Sequence, residues 1–122
     1  MARPRVRLAQ GRRSKYGAKR TTVDGIVFHS AKEAARYREL KLLEAAREIH
    51  SLRLQPSFPL DVIGGFVKDV RVQIGVYRAD FDYFDVKADT RIVEDVKGFK
   101  TPLYRWKKKH VEAQYGIVIR ET

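Results

Sequence analysis

The spacing of hydrophobic and polar residues in the first half of the chain predicts a short hairpin followed by a helix. In "RTTVDGIVFHS", Asp24-Gly25 separates two short β-prone runs, and such a dipeptide is the strongest local signal for a two-residue hairpin turn. From residue 31 to about residue 49, Ala, Leu, Glu, Lys and Arg dominate, and Ser30 is a suitable N-terminal cap. We therefore expect a β-hairpin and then one long helix.

The middle of the chain is predicted to consist of strands. "LRLQPSFPLDVI" reads as one strand, in which Pro56 and Pro59 favour an edge position or a bulge. Gly64-Gly65 predicts a turn, and "FVKDVRVQIGVYRADFDYF" then carries one or two further strands. "TRIVEDVKG" predicts the next strand.

A second helix and a last strand complete the predicted elements. Thr101 is placed to cap this helix, Pro102 suits its first position, and Gly116 is expected to end it. "IVIRE" then predicts a short strand. The order hairpin, helix, strands, helix, strand predicts an α/β fold with a mixed β-sheet flanked by helices.

Charge is distributed unevenly and separates a basic arm from the rest of the chain. The net charge of the 122 residues is +11, with 26 basic and 15 acidic side chains. Residues 1–20 contain 8 of the basic residues and no acidic one, which leaves a net charge of +3 in the other 102. We therefore predict a basic N-terminal arm over residues 1–20 and a single domain over residues 21–122. An Arg-rich arm favours a nucleic-acid partner, and a solubilising tail is the alternative.

Composition narrows the class of protein further. The sequence has no apolar run long enough to span a bilayer, and its start lacks the apolar segment of a signal peptide. Cysteine is absent, which excludes disulfides and thiolate metal sites. We expect a cytoplasmic protein with no membrane partner.

Asp95 and Lys97 are two charged residues in a strand that is otherwise apolar. Because side chains alternate between the two faces of a strand, both point the same way. The ordinary interpretation is an Asp/Lys salt bridge on a solvated face. The catalytic interpretation is that an acid and an ammonium group serve one reaction.

The hairpin before Lys97 supplies a second acid. If its turn is centred on Lys87-Ala88, the numbers of opposite residues sum to 175, so that Asp80 lies across from Asp95 and Arg78 across from Lys97. Two facing carboxylates repel each other and destabilise a sheet. In a shifted register, Asp82 would take the place of Asp80.

A divalent cation between Asp80 and Asp95 would turn this repulsion into attraction. Mg²⁺ is held by one or two carboxylates together with waters and phosphate oxygens. Asp80, Asp95 and the carbonyl of Val96 could supply half of such a coordination shell. Lys97 would then orient the attacking water and stabilise charge that develops on the phosphate.

These residues together resemble the PD-(D/E)XK nuclease superfamily, in which a helix carries Glu, one strand carries Asp and the next carries (D/E)-x-K. Glu33, Asp80 and Asp95-Val96-Lys97 match these positions, although Ala79 replaces the Pro before Asp80. From the residues alone, Glu33 forms a capping box with Ser30. The segments "SKYGAKRTTVDGIVFHSAKEAARYRELKLLE", "LQPSFPL", "YRADFDYFD" and "VEDVKGFKTPLYRWKKK" look like a family of small phage-encoded endonucleases.

This resemblance implies a restriction-endonuclease-like core and a DNA endonuclease that depends on Mg²⁺ or Mn²⁺. It implies that Glu33, Asp80, Asp95 and Lys97 are catalytic, with Glu33 as a further metal ligand. Relatives of this size include Holliday-junction resolvases, which act on branched DNA as homodimers. We therefore expect a homodimer that acts on branched DNA in phage recombination or DNA processing, in the host cytoplasm. A sequence-preferring nicking or restriction-like endonuclease and a non-catalytic DNA-binding protein are the alternatives.

Further residues are assigned on their charge and position. The expected DNA contacts are Arg12, Arg13, Lys15, Lys19, Arg20, Lys100, Arg105 and Lys108. Trp106 is expected in the core rather than as a platform for a base. The roles of Tyr16 and Gln55 stay open, Gln55 being either a neighbour of the site or a satisfied core amide. The three histidines lack metal-ligand spacing.

Overall fold

The computed structural model describes residues 19–65, 69–97 and 100–122. The expected DNA contacts Arg12, Arg13 and Lys15, and also Tyr16, lie outside these ranges. The chain divides between Glu39 and Leu40 into two compact units. Within the described ranges, neither helix combines the length and the apolarity that crossing a bilayer requires.

The first unit contains the hairpin and the start of the first helix. Strands β1 (Thr21–Val23) and β2 (Ile26–Phe28) are antiparallel. Asp24 has a φ of 54° and Gly25 a φ of 75°, and a two-residue hairpin turn with both central φ angles positive suits the twist of the strands. The predicted hairpin is confirmed.

Helix α1 runs over Ala31–Ala45 and ends earlier than the predicted residue 49. Arg47 adopts a φ of 62°, in the left-handed region. The N–H of Glu48 donates to Leu43 O at 2.9 Å, and the N–H of Arg47 donates to Glu44 O at 3.0 Å. These bonds satisfy carbonyl groups in the last turn of the helix, and Arg47 takes the left-handed position that glycine usually occupies after a helix. The helix therefore ends, and Ile49 begins a strand.

The second unit is built on two sheets. Its other elements are β3 (Ile49–Leu54), β4 (Ser57–Ile63), β5 (Arg71–Arg78), β6 (Phe81–Asp85), β7 (Thr90–Asp95), α2 (Pro102–Tyr115) and β8 (Ile119–Glu121). Four strands form one sheet in the order β3-β6-β7-β8, and β8 is parallel to β7 whereas the other pairs are antiparallel. The predicted mixed sheet and α/β class are thereby confirmed.

The stretch "LRLQPSFPLDVI" is two strands and not the single predicted one. Gln55 has a φ of 51°, and Pro56 follows it between β3 and β4. Pro lacks the N–H that a continuous ladder requires, so the chain leaves the four-stranded sheet here. Pro59 lies in β4, which pairs with β5 in a separate two-stranded sheet. Each strand of such a sheet is an edge strand, so the predicted edge position of Pro59 is confirmed.

Helix α2 has the predicted limits and lies against the two-stranded sheet. Thr101 Oγ1 accepts the N–H of Tyr104 at 3.0 Å, Pro102 opens the helix, and Gly116 ends it with a φ of 65°. The buried core of this unit contains Phe58, Leu60, Tyr77, Ala79, Val93, Val111 and Ile119, with Tyr104 packed against it. Trp106 is 54% exposed, so its predicted place in the core is wrong. It lies two residues after Tyr104, which turns it to another face of the helix.

Candidate active site

Asp80 lies where the chain passes from one sheet to the other. The residues up to Arg78 pair with β4, and those from Phe81 onward pair with β7. The N–H of Asp80 donates to Glu94 O at 3.0 Å, and its carbonyl accepts the N–H of Gln55 at 2.8 Å. Arg78 therefore lies opposite Ser57, and its predicted position opposite Lys97 is wrong because the hairpin is not continuous.

The predicted register holds within the ladder of β6 and β7. Phe81 is opposite Glu94 and Asp85 is opposite Thr90, and the residue numbers of each pair sum to 175. The ladder ends at Phe81, so Asp80 does not form a ladder pair with Asp95. Its Oδ2 instead accepts the N–H of Val96 at 2.7 Å. This bond brings Asp80 to the segment that carries Asp95.

Asp82 is occupied elsewhere and does not take the place of Asp80. It is buried and forms salt bridges with Arg53 and Arg91. Burial raises the pKa of this carboxyl, but the hydrogen bonds and the charges of the two arginines outweigh burial and hold the pKa below its ordinary value. Asp82 is thus a structural ion-pair residue.

Asp95 is a buried carboxylate with one oxygen left without a hydrogen bond. The side chain is 1% exposed, and Oδ2 accepts the hydroxyl of Tyr77. Oδ1 has no hydrogen-bond partner among the described residues, and Lys97 Nζ lies 3.6 Å from it. Burial raises the pKa of Asp95 to about 6, although the charge of Lys97 opposes this effect.

Lys97 is surrounded by the start of α2 and the end of β8. Its Nζ atom lies 4.3 Å from the centroid of the Tyr104 ring. Its backbone N–H donates to Thr122 O at 3.3 Å, since β8 runs beside β7. The hydroxyl of Tyr104 donates to Glu121 Oε2 at 2.7 Å. The lysine therefore contacts two segments that are distant from it in sequence, the start of α2 and the end of the chain after β8.

Glu121 connects these segments through several cations. Its Oε1 lies 2.9 Å from Lys100 Nζ, and its Oε2 lies 3.7 Å from Lys108 Nζ. The hydrogen bond from Tyr104 and then that from Lys100 lower the pKa of Glu121 to about 2. Burial and the neighbouring carboxylate raise the pKa of Tyr104 above its ordinary value. Glu121 is thus an anion and Tyr104 a neutral hydrogen-bond donor at neutral pH.

An open pocket of about 410 Å³ adjoins Lys97. Its lining residues are Val76, Tyr77, Arg78, Lys97, Thr101, Leu103, Tyr104 and Lys107. Three of them are cations, and Thr101 caps the N-terminus of α2, where the helix dipole favours anions. The pocket can therefore accept a phosphate group beside the Asp95–Lys97 pair.

The other predicted site residues have different surroundings. Glu33 lies in the first unit, where Oε1 accepts the N–H of His29 at 3.0 Å and its own N–H donates to Ser30 Oγ at 3.1 Å. These bonds confirm that Glu33 folds back on the start of α1, and its role as a catalytic residue or ligand stays a prediction. Gln55 is exposed, so it is not a core amide, and its backbone N–H donates to the carbonyl of Asp80.

The predicted DNA contacts that the structure describes are of two kinds. Lys19, Arg20 and Arg105 are exposed, whereas Lys100 and Lys108 form ion pairs with Glu121. Arg78 and Lys107 line the pocket but were not predicted. The sequence carries no local signal for either, since each reaches the pocket through the packing of α2 on β5.

The donor set around Asp95 suits a hard divalent cation in part. Within the described ranges, no group of three or more His, Cys, Asp or Glu side chains is gathered at one point. Asp95 Oδ1 is nonetheless buried without a hydrogen bond, and a cation would satisfy it. Two carboxylates with waters are an ordinary arrangement for Mg²⁺. Of the predicted ligands, Asp95 Oδ1 thus has surroundings that suit a cation, Asp80 approaches the same segment through Val96 N–H, and the roles of Asp80 and the Val96 carbonyl as ligands stay predictions.

Comparisons with known proteins give one match. Residues 13–121 match a family model described as "Protein of unknown function (DUF1064)". No curated protein and no solved structure matches the chain.

Proposed function

The chain belongs to the DUF1064 family, and we propose that it is a metal-dependent endonuclease that hydrolyses phosphodiester bonds in DNA. The observation that carries the proposal is the buried Asp95, whose Oδ1 lacks a hydrogen bond and lies 3.6 Å from Lys97 Nζ. An ordinary surface salt bridge would not require a carboxylate that is 1% exposed.

Asp80, Asp95 and the Val96 carbonyl would hold Mg²⁺ or Mn²⁺, with Glu33 as a further proposed ligand. When bound, such an ion supplies a Lewis acid and lowers the pKa of a bound water. Asp95 has a pKa of about 6, so it is ionised near neutral pH and available as a ligand. Tyr77 donates to Oδ2 and thereby leaves Oδ1 as the oxygen available for the ion.

Lys97 and the cations that line the pocket would bind the phosphate and neutralise its charge. The Lys97 ammonium group can orient the attacking water and stabilise charge on the phosphate oxygens. Arg78 and Lys107 line the same pocket, and the N-terminus of α2 adds a favourable dipole. The proposed reaction is hydrolysis: the oxygen of water forms a bond to phosphorus, one P–O ester bond of the phosphodiester breaks, and the leaving alkoxide takes a proton from solvent, while Lys97, Arg78 and Lys107 would neutralise the phosphate.

The fold and the charge support DNA as the substrate. Asp80 lies just before β6 and the Asp95–Lys97 pair at the end of β7, and this placement beside a mixed sheet supports the restriction-endonuclease-like core that the resemblance to the PD-(D/E)XK superfamily implies. The arm with 8 basic residues and no acidic residue favours a polyanion. We propose branched DNA, cut by a homodimer, as the substrate, in phage recombination or DNA processing.

The test is a cleavage assay on linear, nicked and four-way DNA with and without Mg²⁺. We expect wild-type protein to cut only with the metal, and Asp80→Asn and Asp95→Asn each to abolish cutting because each removes a ligand. The matched control is Asp85→Asn, since Asp85 lies on β6 and its Oδ1 accepts the N–H of Ala88 in the turn, outside the site.

The outcomes separate the candidate functions. Full Mg²⁺-dependent cutting by either site variant would overturn the assignment of that carboxylate. Cutting of linear duplex alone would favour the nicking or restriction-like alternative. Tight DNA binding without any cleavage by folded wild-type protein would favour a non-catalytic DNA-binding protein.

A further inference from the structure

The ammonium group of Lys97 has a second neighbour besides its charge partner. Nζ lies 3.6 Å from Asp95 Oδ1 and 4.3 Å from the centroid of the Tyr104 ring. A cation over an aromatic face is attracted by the negative potential of the ring. The carboxylate draws the ammonium group to one position, and the ring supports it from another side.

The Tyr104 ring is itself held in place by contacts at both ends. Its backbone N–H donates to Thr101 Oγ1 at 3.0 Å in the first turn of α2. Its hydroxyl donates to Glu121 Oε2 at 2.7 Å, and the Tyr77 ring lies 6.4 Å away between centroids. Tyr104 is also packed against the buried core of its unit. The ring is therefore a fixed surface on which a flexible lysine can rest.

We propose that Tyr104 is a positioning residue, whose ring holds the Lys97 ammonium group beside Asp95 at the edge of the pocket. This inference rests on the proposed endonuclease function. Lysine has a long side chain with many rotamers, and a catalytic ammonium group acts only when it is held near the reacting atoms. In this role Tyr104 acts through Lys97.

Two substitutions separate the ring from the hydroxyl. Tyr104→Leu removes the aromatic face, so we expect kcat to fall about tenfold with little change in KM. Tyr104→Phe keeps the face and loses only the bond to Glu121, so we expect kcat within about threefold of wild type. The control is Tyr115→Leu, because Tyr115 is an α2 tyrosine that packs on Phe58 and donates to Pro59 O, away from Lys97.

A spectroscopic measurement tests the contact without any cleavage. Methylene protons over an aromatic face experience the ring current, so the Cε protons of Lys97 should resonate upfield of those of exposed lysines. The signal is assigned by its loss in Lys97→Arg. We expect the upfield shift in wild type, Tyr104→Phe and Tyr115→Leu, and its disappearance in Tyr104→Leu.

The results distinguish this inference from the proposed function. An unshifted Lys97 signal in wild type would overturn the positioning role, as would equal kcat values for Tyr104→Leu and Tyr104→Phe. If Tyr104→Leu does not fold, the wild-type and Tyr104→Phe spectra still decide. A wild type that cuts no DNA but shows the shifted signal would overturn the endonuclease proposal and leave the ring–ammonium contact in place.

Discussion

The substitution Asp95→Asn should stabilise the metal-free protein, although it removes a proposed catalytic residue. Burial raises the pKa of Asp95 from 3.8 to about 6. Since each pKa unit corresponds to about 1.4 kcal/mol, keeping this carboxylate ionised at neutral pH costs the folded state ~3 kcal/mol. Asparagine carries no charge and can still accept the Tyr77 hydroxyl. We therefore expect Asp95→Asn to raise the free energy of unfolding by up to ~3 kcal/mol at neutral pH.

The sign of the pH dependence follows from the same shift. Between about pH 4 and pH 6 the folded state binds the proton on Asp95 more tightly than the unfolded state does. The contribution of Asp95 to stability should therefore fall as the pH rises through this window and should be absent from Asp95→Asn. The lowered pKa values of Glu121 and Asp82 act in the opposite direction, but both proteins share them, so the difference in stability between wild type and Asp95→Asn isolates Asp95. Lys97, Glu121 and the Asp80 backbone also act on this carboxyl, and the raised pKa already includes their effects.

The assay is urea unfolding followed by far-UV circular dichroism, in EDTA at constant ionic strength, at several pH values across this window. The matched control is Asp82→Asn, a second buried carboxylate with a lowered pKa. We expect this control to lose ~1–3 kcal/mol, because Arg53 and Arg91 lose a charged hydrogen-bond partner. An Asp95→Asn variant less stable than wild type at neutral pH would refute the reasoning, as would an advantage of Asp95→Asn over wild type that does not grow between about pH 4 and pH 6.

Three further predictions concern the arm, the assembly and the second helix. Deleting residues 1–13 should weaken DNA binding and flatten its salt dependence. The slope of the logarithm of the binding constant against the logarithm of the salt concentration should change by about 0.9 for each lost phosphate contact. A salt titration with an unchanged slope would show that the arm is only a solubilising tail. Light scattering should show a two-fold homodimer, because two opposed cuts need two sites. Binding assays at equal salt should show tighter binding to four-way DNA than to linear DNA. A strict monomer that only nicks duplex would contradict this prediction. Thr101→Ala should lower the free energy of unfolding by about 1 kcal/mol in urea denaturation, because the N–H of Tyr104 loses its cap, whereas Thr101→Ser should retain most of it.

Features that depend on neighbours in sequence could be predicted from the sequence itself. The turn at Asp24-Gly25 and the limits of α2 at Thr101 and Gly116 follow from backbone angles and caps that act within a few residues. The register of β6 and β7 was predictable for the same reason, since the short connection between these strands determines which residues face each other.

Features that depend on contacts between distant segments could not be predicted. The break after Arg78 moves β5 into another sheet, and the bend at Asp80 then depends on the N–H of Gln55 donating to Asp80 O and on the N–H of Asp80 donating to Glu94 O. Tyr77, on the strand that joins the other sheet, donates its hydroxyl to Asp95. No alternation of hydrophobic and polar residues within one strand encodes where a neighbouring strand leaves the sheet.

Within the candidate site, the surroundings of Lys97 also show which features follow from the sequence and which depend on the tertiary structure. From the alternation of side chains along a strand, the sequence predicted that Asp95 and Lys97 point the same way. Strand β7 ends at Asp95, so the predicted extension of the strand through Lys97 is wrong, but Lys97 Nζ still lies 3.6 Å from Asp95 Oδ1. The Tyr104 ring beside the lysine, with its hydroxyl bound to Glu121, depended on β8 lying parallel to β7 and on the start of α2 reaching both Lys97 and Glu121. Those contacts arise from burying apolar surface across the whole unit, and such burial has no signature in any short stretch of sequence.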